Sequence, residues 1–190
     1  MAKRVLLLFL LAFSLAACTV KSVIPPEDAL SPEDFAPAVR AHLSHGDWLV
    51  TRGIHATDNL VTSATNMPFS HAAIYDAEKD EVIESESQGV HTTPFADFIA
   101  KSSRVMVVRP MWRTDESARV AVERARSWLG KGYNFTGLVG LDSPDRYYCT
   151  QVAMEAYRPF ITEKPDNPIP KVLSPGRMHH WGRIIFDTGP

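Results

Sequence analysis

Arg146-Tyr147-Tyr148-Cys149-Thr150-Gln151-Val152-Ala153-Met154-Glu155-Ala156-Tyr157 is the stretch from which the rest of the chain is read. It follows a turn-forming run, Leu141-Asp142-Ser143-Pro144-Asp145, and its apolar residues Val152, Ala153, Ala156 and Tyr157 recur at helical spacing. The spacing predicts a packed helix with Cys149 in its first turn. Unpaired N–H groups and the positive end of the helix dipole favour a thiolate there, and a depressed thiol pKa makes a nucleophile at neutral pH. Taken singly, a cysteine is more often a small core residue. The first helical turn is not the ordinary place for one, however, and the chain has only one other cysteine, Cys18. A nucleophile also requires a base, which the remaining residues must supply.

The 190 residues suit one domain with a sizeable core, and the 45% hydrophobic and 22% charged fractions are those of an ordinary globular protein. A net charge of −2, with no basic run and no Gly-rich phosphate loop, argues against nucleic acid as a partner. The composition gives no sign of oligomeric state.

The amino terminus reads as a targeting segment. Lys3 and Arg4 precede an apolar run over residues 5–13 that is too short to span a bilayer, and small residues lead to Leu15-Ala16-Ala17-Cys18. This end resembles a bacterial lipobox, which implies a signal peptide over residues 1–17, cleavage before Cys18 and lipid on its sulfur. The alternative is a plain signal peptide cut at a nearby Ala-x-Ala-type site. Thr19 in place of Asp implies, by the same resemblance, an outer-membrane anchor facing the periplasm. Without residues 1–17 the net charge is 18 − 22 = −4. One lipidated cysteine and one free cysteine leave no intramolecular disulfide, even in an oxidising compartment. Residues 18–30, with Pro25-Pro26, read as a tether to a single domain over residues 31–190.

Within that domain, Ser31-Pro32-Glu33-Asp34 starts a short helix, and residues 48–51 look like a first strand. Residues 59–64 are helical, ended by Asn66-Met67-Pro68. Residues 70–76 and 81–87 form a hairpin, residues 89–94 continue it, and residues 95–101 are a short helix. The apolar run 105–110 predicts a strand buried on both faces. Thr114-Asp115-Glu116 caps an amphipathic helix with Ala118, Ala121, Val122, Ala125, Trp128 and Leu129 on one side and Gly130 as its stop. After a proline-rich loop, residues 183–187 read as a last strand.

Among seven histidines, His71 begins a strand, where a side chain can project from a sheet rim into a cleft. Imidazole has the unperturbed pKa suited to proton transfer near neutrality, and it needs an orienting partner. Glu84, on the neighbouring strand of the hairpin, can reach across to His71, with Glu86 and His91 as rival third members. Singly, His71 reads as a hydrogen-bonded strand-end residue and Glu84 as a solvated acid.

Gly46-Asp47-Trp48-Leu49, Asn66 to Tyr75, Val82-Ile83-Glu84-Ser85 with Gly89-Val90, Tyr133-Asn134-Phe135, and Tyr147-Tyr148-Cys149-Thr150-Gln151-Val152 resemble, in order and spacing, the YiiX/YebB family. These are circularly permuted NlpC/P60 papain-like cysteine hydrolases, related to lecithin–retinol acyltransferases. The resemblance runs from about Gly46 to Tyr157. It implies an α+β, papain-like fold, with a mostly antiparallel sheet or small barrel packed on helices and the nucleophile at a helix N-terminus. It makes Cys149 the nucleophile, His71 the base and Glu84 the polar third member; no cofactor and no metal are expected. The permutation explains why the histidine precedes the cysteine. Thr150-Gln151 stand where the family usually has Ser-Glu, and the Gln151 change is expected to alter charge near the cleft; Ala72 replaces a usual valine.

The expected chemistry is attack of the Cys149 thiolate on a carbonyl carbon, giving a thioester acyl-enzyme. The oxyanion is held by the Cys149 N–H and a second donor, for which Tyr75, Tyr133 and Tyr148 are candidates. A peptidoglycan peptide is the preferred substrate, and a lipid ester or acyl transfer is the alternative. An apolar slot is expected from Phe69, Val90 and Phe95 at the cleft rim. No His-Glu-x-x-His, Cys-x-x-Cys or Gly-x-Ser-x-Gly occurs, and a His179-His180 metal site is weak because adjacent histidines diverge on regular structure. A non-catalytic envelope lipoprotein is the reading from a different class.

Overall fold

The Ser31-Pro32 start behaves as its chemistry requires. The Asp34 carboxylate accepts from the Ser31 backbone N–H at 3.0 Å and from its hydroxyl at 2.7 Å, which closes the first turn of helix α1 (Pro32–His42). The computed structural model describes residues 31–189 apart from residues 142, 163 and 165. The signal peptide, Cys18 and the tether lie outside the described residues.

The elements that follow are β1 (Trp48–Gly53), α2 (Ala56–Thr65), β2 (His71–Asp76), β3 (Glu81–Glu86), β4 (Gly89–Pro94), α3 (Phe95–Ala100) and β5 (Ser102–Pro110). Then come α4 (Asp115–Arg126), the two-residue strands β6 (Gly132–Tyr133) and β7 (Arg146–Tyr147), α5 (Cys149–Ala156) and β8 (Gly182–Asp187). Among the described residues six strands form one sheet in the order β4-β3-β2-β1-β5-β8, antiparallel throughout, while β6 and β7 pair in parallel. The sheet is open, with β4 and β8 at its edges, so of the two expected forms the open sheet is the one adopted.

Alternation along the strands builds two cores. Trp48, Val50, Ala72, Ile74 and Ile83 face α4 and α5, whereas Leu49, Ala73, Tyr75 and Val82 face α1 and α3. Strand β5 serves both layers, with Met106 and Val108 on one face and Val105 and Val107 on the other, which is why its sequence shows no alternation. The fold is α+β, as expected. Helix α4 stops short of the expected Leu129: bonds from Trp128 N to Ala125 O and from Leu129 N to Arg126 O tighten the last turn, and Leu129 is exposed. Gly89 joins β3 to β4 at φ +98°, where an added Cβ would stand 2.2 Å from the Lys131 carbonyl oxygen, so only glycine fits.

Candidate active site

Cys149 is the first residue of α5. Apolar packing sets the helix: Val152, Ala153, Ala156 and Tyr157 are fully buried, and the Trp48 indole donates to the Ala153 carbonyl at 3.1 Å. The entry to the helix is pinned from three sides. The Ser85 hydroxyl donates to the Tyr147 carbonyl at 2.6 Å, and Trp128 stacks on the Tyr147 ring at 4.6 Å. The Thr150 hydroxyl donates to the Leu173 carbonyl at 2.7 Å, and Leu173 N donates to the Tyr148 hydroxyl at 3.3 Å. Gln151 closes the first turn, its amide oxygen accepting from Tyr148 N at 3.2 Å and from the Asn134 side chain at 3.2 Å. Gln151 is thus a neutral residue with a structural task at the start of the helix. Its polar head is spent on the helix cap and on the buried Asn134, which in turn accepts from Gly137 N at 2.8 Å and holds the turn over Thr136–Val139.

His71 opens β2 and reaches Glu84 of β3, with its Nε2 2.6 Å from Glu84 Oε2. The β2–β3 register pairs Ile74 with Ile83, so Glu84 lies on the face of His71 and meets it diagonally rather than directly opposite. Glu84 is only 1% exposed, which removes the reading of it as a solvated acid. An ionised carboxylate can only accept, so His71 Nε2 carries the proton. The ring's other nitrogen is left for Cys149, which lines the same cleft as His71. Phe98 backs the imidazole, ring centroids 6.0 Å apart.

The electrostatics follow from these contacts. Burial acts to lower the His71 pKa, but the neighbouring Cys149 and the hydrogen-bonded Glu84, with the negative charge on both, outweigh it and hold His71 well above its ordinary value. Burial likewise acts to raise Glu84; hydrogen bonds from His71 and His91, the His71 charge and the Thr93 hydroxyl overcome it and keep the carboxyl far below the usual carboxylate range. Of the rivals for third member, Glu86 turns to the Gln88 amide at 3.1 Å, and His91 approaches Glu84 rather than His71.

A cleft of about 320 Å³ opens over His71 and Cys149, walled by Tyr133 and Phe135 on one side and by Asp58 and Val61 of α2 on the other. The three tyrosines separate cleanly. The Tyr75 hydroxyl donates to Asp80 at 2.8 Å in the hairpin turn, which with burial raises it to about 12, and Tyr148 is bound to Leu173 N. Tyr133 lines the cleft, its pKa raised by burial and by negative charge at Cys149. Among the described residues its hydroxyl is the one of the three not committed to a protein partner. The apolar slot expected from Phe69, Val90 and Phe95 is corrected: all three are buried in the two cores. On the loop that Asn134 organises, Phe135, Val139 and Leu141 are exposed, and of these Phe135 lines the cleft. The His179 and His180 rings lie against each other, ring centroids 4.4 Å apart, and neither lines this cleft.

A family described as permuted papain-like amidase enzyme, YaeF/YiiX, C92 family, matches residues 42–169. A solved crystal structure, that of the metalloprotein YiiX from Escherichia coli O157:H7, is similar at a TM-score of 0.54 and 25% identity, over 63% of this chain and 67% of that one. No curated protein matches the chain.

Proposed function

The chain belongs to the permuted papain-like amidases of the YaeF/YiiX, C92 family, and from that premise we propose that Cys149, His71 and Glu84 are the catalytic triad of an envelope-anchored enzyme that cleaves an amide through a thioester acyl-enzyme. The membership itself makes the chain a papain-like cysteine hydrolase. The observation that supports the residue assignment is the hydrogen bond between the buried Glu84 and His71, together with the opening of His71 and of Cys149 at the start of α5 onto one cleft.

The steps follow from that chain. His71 Nδ1 takes the Cys149 proton, and the thiolate attacks the carbonyl carbon. The oxyanion is met by the Cys149 N–H at the helix start and by the Tyr133 hydroxyl. The C–N bond then breaks, and the imidazolium gives its proton to the departing amine. Water adds to the thioester with His71 taking its proton, the C–S bond breaks, and the thiolate–imidazolium pair returns.

The substrate proposed first is a peptide of the cell wall, within reach of an enzyme tethered at Cys18. A lipid acyl ester is the second reading, favoured by the exposed Phe135 in the cleft wall and by the exposed Val139 and Leu141 farther along the same loop. The test is incubation of the chain from residue 19 onward with purified muropeptides and, separately, with phospholipid vesicles. Muropeptide cleavage lost in Cys149→Ala supports the first reading. Release of fatty acid or lysolipid with muropeptides untouched replaces it by the second.

The solved Escherichia coli structure is described as that of a metalloprotein, and among the described residues of this chain one group has the composition of a cation site. Ligand atoms of His71, Glu84 and Glu86 lie within 4.8 Å of one another. His71 Nε2 and Glu84 Oε2 are 2.6 Å apart, whereas two ligands on a tetrahedral zinc with bonds of about 2.0–2.1 Å stand roughly 3.3 Å apart. A metal would have to part the pair that orients the base. The arrangement fits a hydrogen-bonded triad and not a metal centre, and no step is routed through one.

A further inference from the structure

Glu84 has two oxygens, and only one faces His71. The other, Oε1, accepts from the Thr93 hydroxyl at 2.5 Å and lies 3.4 Å from His91 Nε2. This follows from the sheet register: β3 and β4 pair Glu84 directly with His91, and Thr93 is two residues farther along the same face of β4. One buried carboxylate thus stands between two imidazole rings. We propose that His91 is a positioning residue for the reaction, sharing the Glu84 carboxylate with His71 so that its positive charge limits how strongly Glu84 holds a proton on the base. The proposal rests on the reading of His71 as the general base.

The surroundings of His91 suit a group that changes charge. Its Nδ1 is 2.9 Å from the Gly89 carbonyl, which can only accept, so that nitrogen keeps its hydrogen in either state. Its Nε2 faces Glu84 at 3.4 Å and Glu86 at 3.7 Å, which serve the charged ring. The Gln88 amide nitrogen, 3.2 Å away, serves the neutral one. Hydrogen bonding to Glu84 raises the pKa of His91, opposed by partial burial and assisted by Glu86, so the ring is cationic over more of the neutral range than a free histidine.

The consequence falls on the second half of the reaction. Before acylation, negative charge on the Cys149 sulfur and on Glu84 both favour the protonated His71. In the acyl-enzyme the thiolate charge is gone, and His71 must be neutral to take a proton from water. Glu84, buried and bonded at 2.6 Å, would oppose that neutral state, with the Glu86 carboxylate in the same cluster acting in the same direction. A cation on the carboxylate's other oxygen relaxes the opposition. Loss of His91 therefore acts on the pH at which the base becomes available.

The experiment needs no substrate. Cys149→Ala removes the thiolate charge, as acylation does, and the His71 ring nitrogens are titrated by ¹H–¹⁵N NMR in the full chain, with and without His91→Gln and His91→Lys. The expected result is a His71 midpoint about one pH unit higher with His91→Gln, the size of a like-charge contact at partial burial, and no such rise with His91→Lys, which keeps the charge. An equal midpoint in all three proteins, or a rise in both variants alike, overturns the sharing of Glu84. Neither result depends on whether His71 acts as a base, which is tested separately by its effect on Cys149.

Discussion

At Glu84, burial and ionisation pull in opposite directions, and the outcome is set by the groups that point at it. His71, Thr93 and His91 all approach the carboxylate, and its pKa is driven down in spite of burial. The stability contributed by a depressed carboxyl is present above the unfolded value of about 4.3 and is lost as pH falls through the lower folded value. Glu84→Gln should therefore show its full loss of thermal stability at pH 6 and a shrinking deficit only in strong acid. His71 is raised, so its contribution is complete below the unfolded histidine value of about 6.5 and is lost as pH rises through the folded value. The deficit of His71→Ala should be full at pH 5.5 and shrink above neutrality. Thermal melts of both variants from pH 3 to 9 check the two signs together. In activity, Glu84→Gln should lower kcat by roughly 10–100-fold, less than loss of His71 or Cys149, because the orienting group neither attacks nor carries the proton.

Among the elements, α5 shows how a short helix is made reliable. Eight residues are marginal by propensity alone, and this helix is held by burial of Val152, Ala153 and Ala156 and by the Gln151 cap over Tyr148 N. Gln151→Ala removes a cap and leaves the buried Asn134 amide without one of its acceptors. A loss of about 1–2 kcal/mol is expected, read as a fall in Tm of roughly 3–6 °C, with slower Cys149 alkylation because the first turn loosens. The helix, its first residue and the hairpin that carries His71 and Glu84 were legible, since each is written in local periodicity and turn residues. The role of Gln151 was not, because its partner Asn134 is seventeen residues away across an irregular loop. Phe69, Val90 and Phe95 misled for a related reason: adjacency to a motif in sequence does not tell which face of a strand or helix a ring takes. The His91 contact with Glu84 could have been found by counting, since a hairpin turning at Ser87-Gln88 sets residue 84 opposite 91.

Over the whole molecule, the open sheet brings residues from β2, β3 and α5 to one rim, spanning positions 71 to 149 in a chain whose order is permuted relative to an ordinary papain-like enzyme. That long-range meeting was legible only through the family resemblance, since spacing along the chain does not bring a strand and a helix start together. Location is a separate matter. We propose that Cys18 is acylated and holds the enzyme to the membrane, stable anchoring requiring two or more acyl chains. Cys18→Ser should release the protein into the soluble fraction or leave the amino-terminal segment uncleaved. A variant that still fractionates with membranes at a lipidated mass would remove the anchor from the account. The substrate readings and the role of His91 in the reaction both presuppose that His71 activates Cys149, and this is open to one direct measurement. The rate of Cys149 carboxamidomethylation by iodoacetamide at pH 6, followed by the mass of the peptide that contains it, should exceed that of free cysteine by at least roughly tenfold and fall to the free-cysteine rate in His71→Ala. A wild-type rate no faster than free cysteine, unchanged by His71→Ala, would contradict the triad.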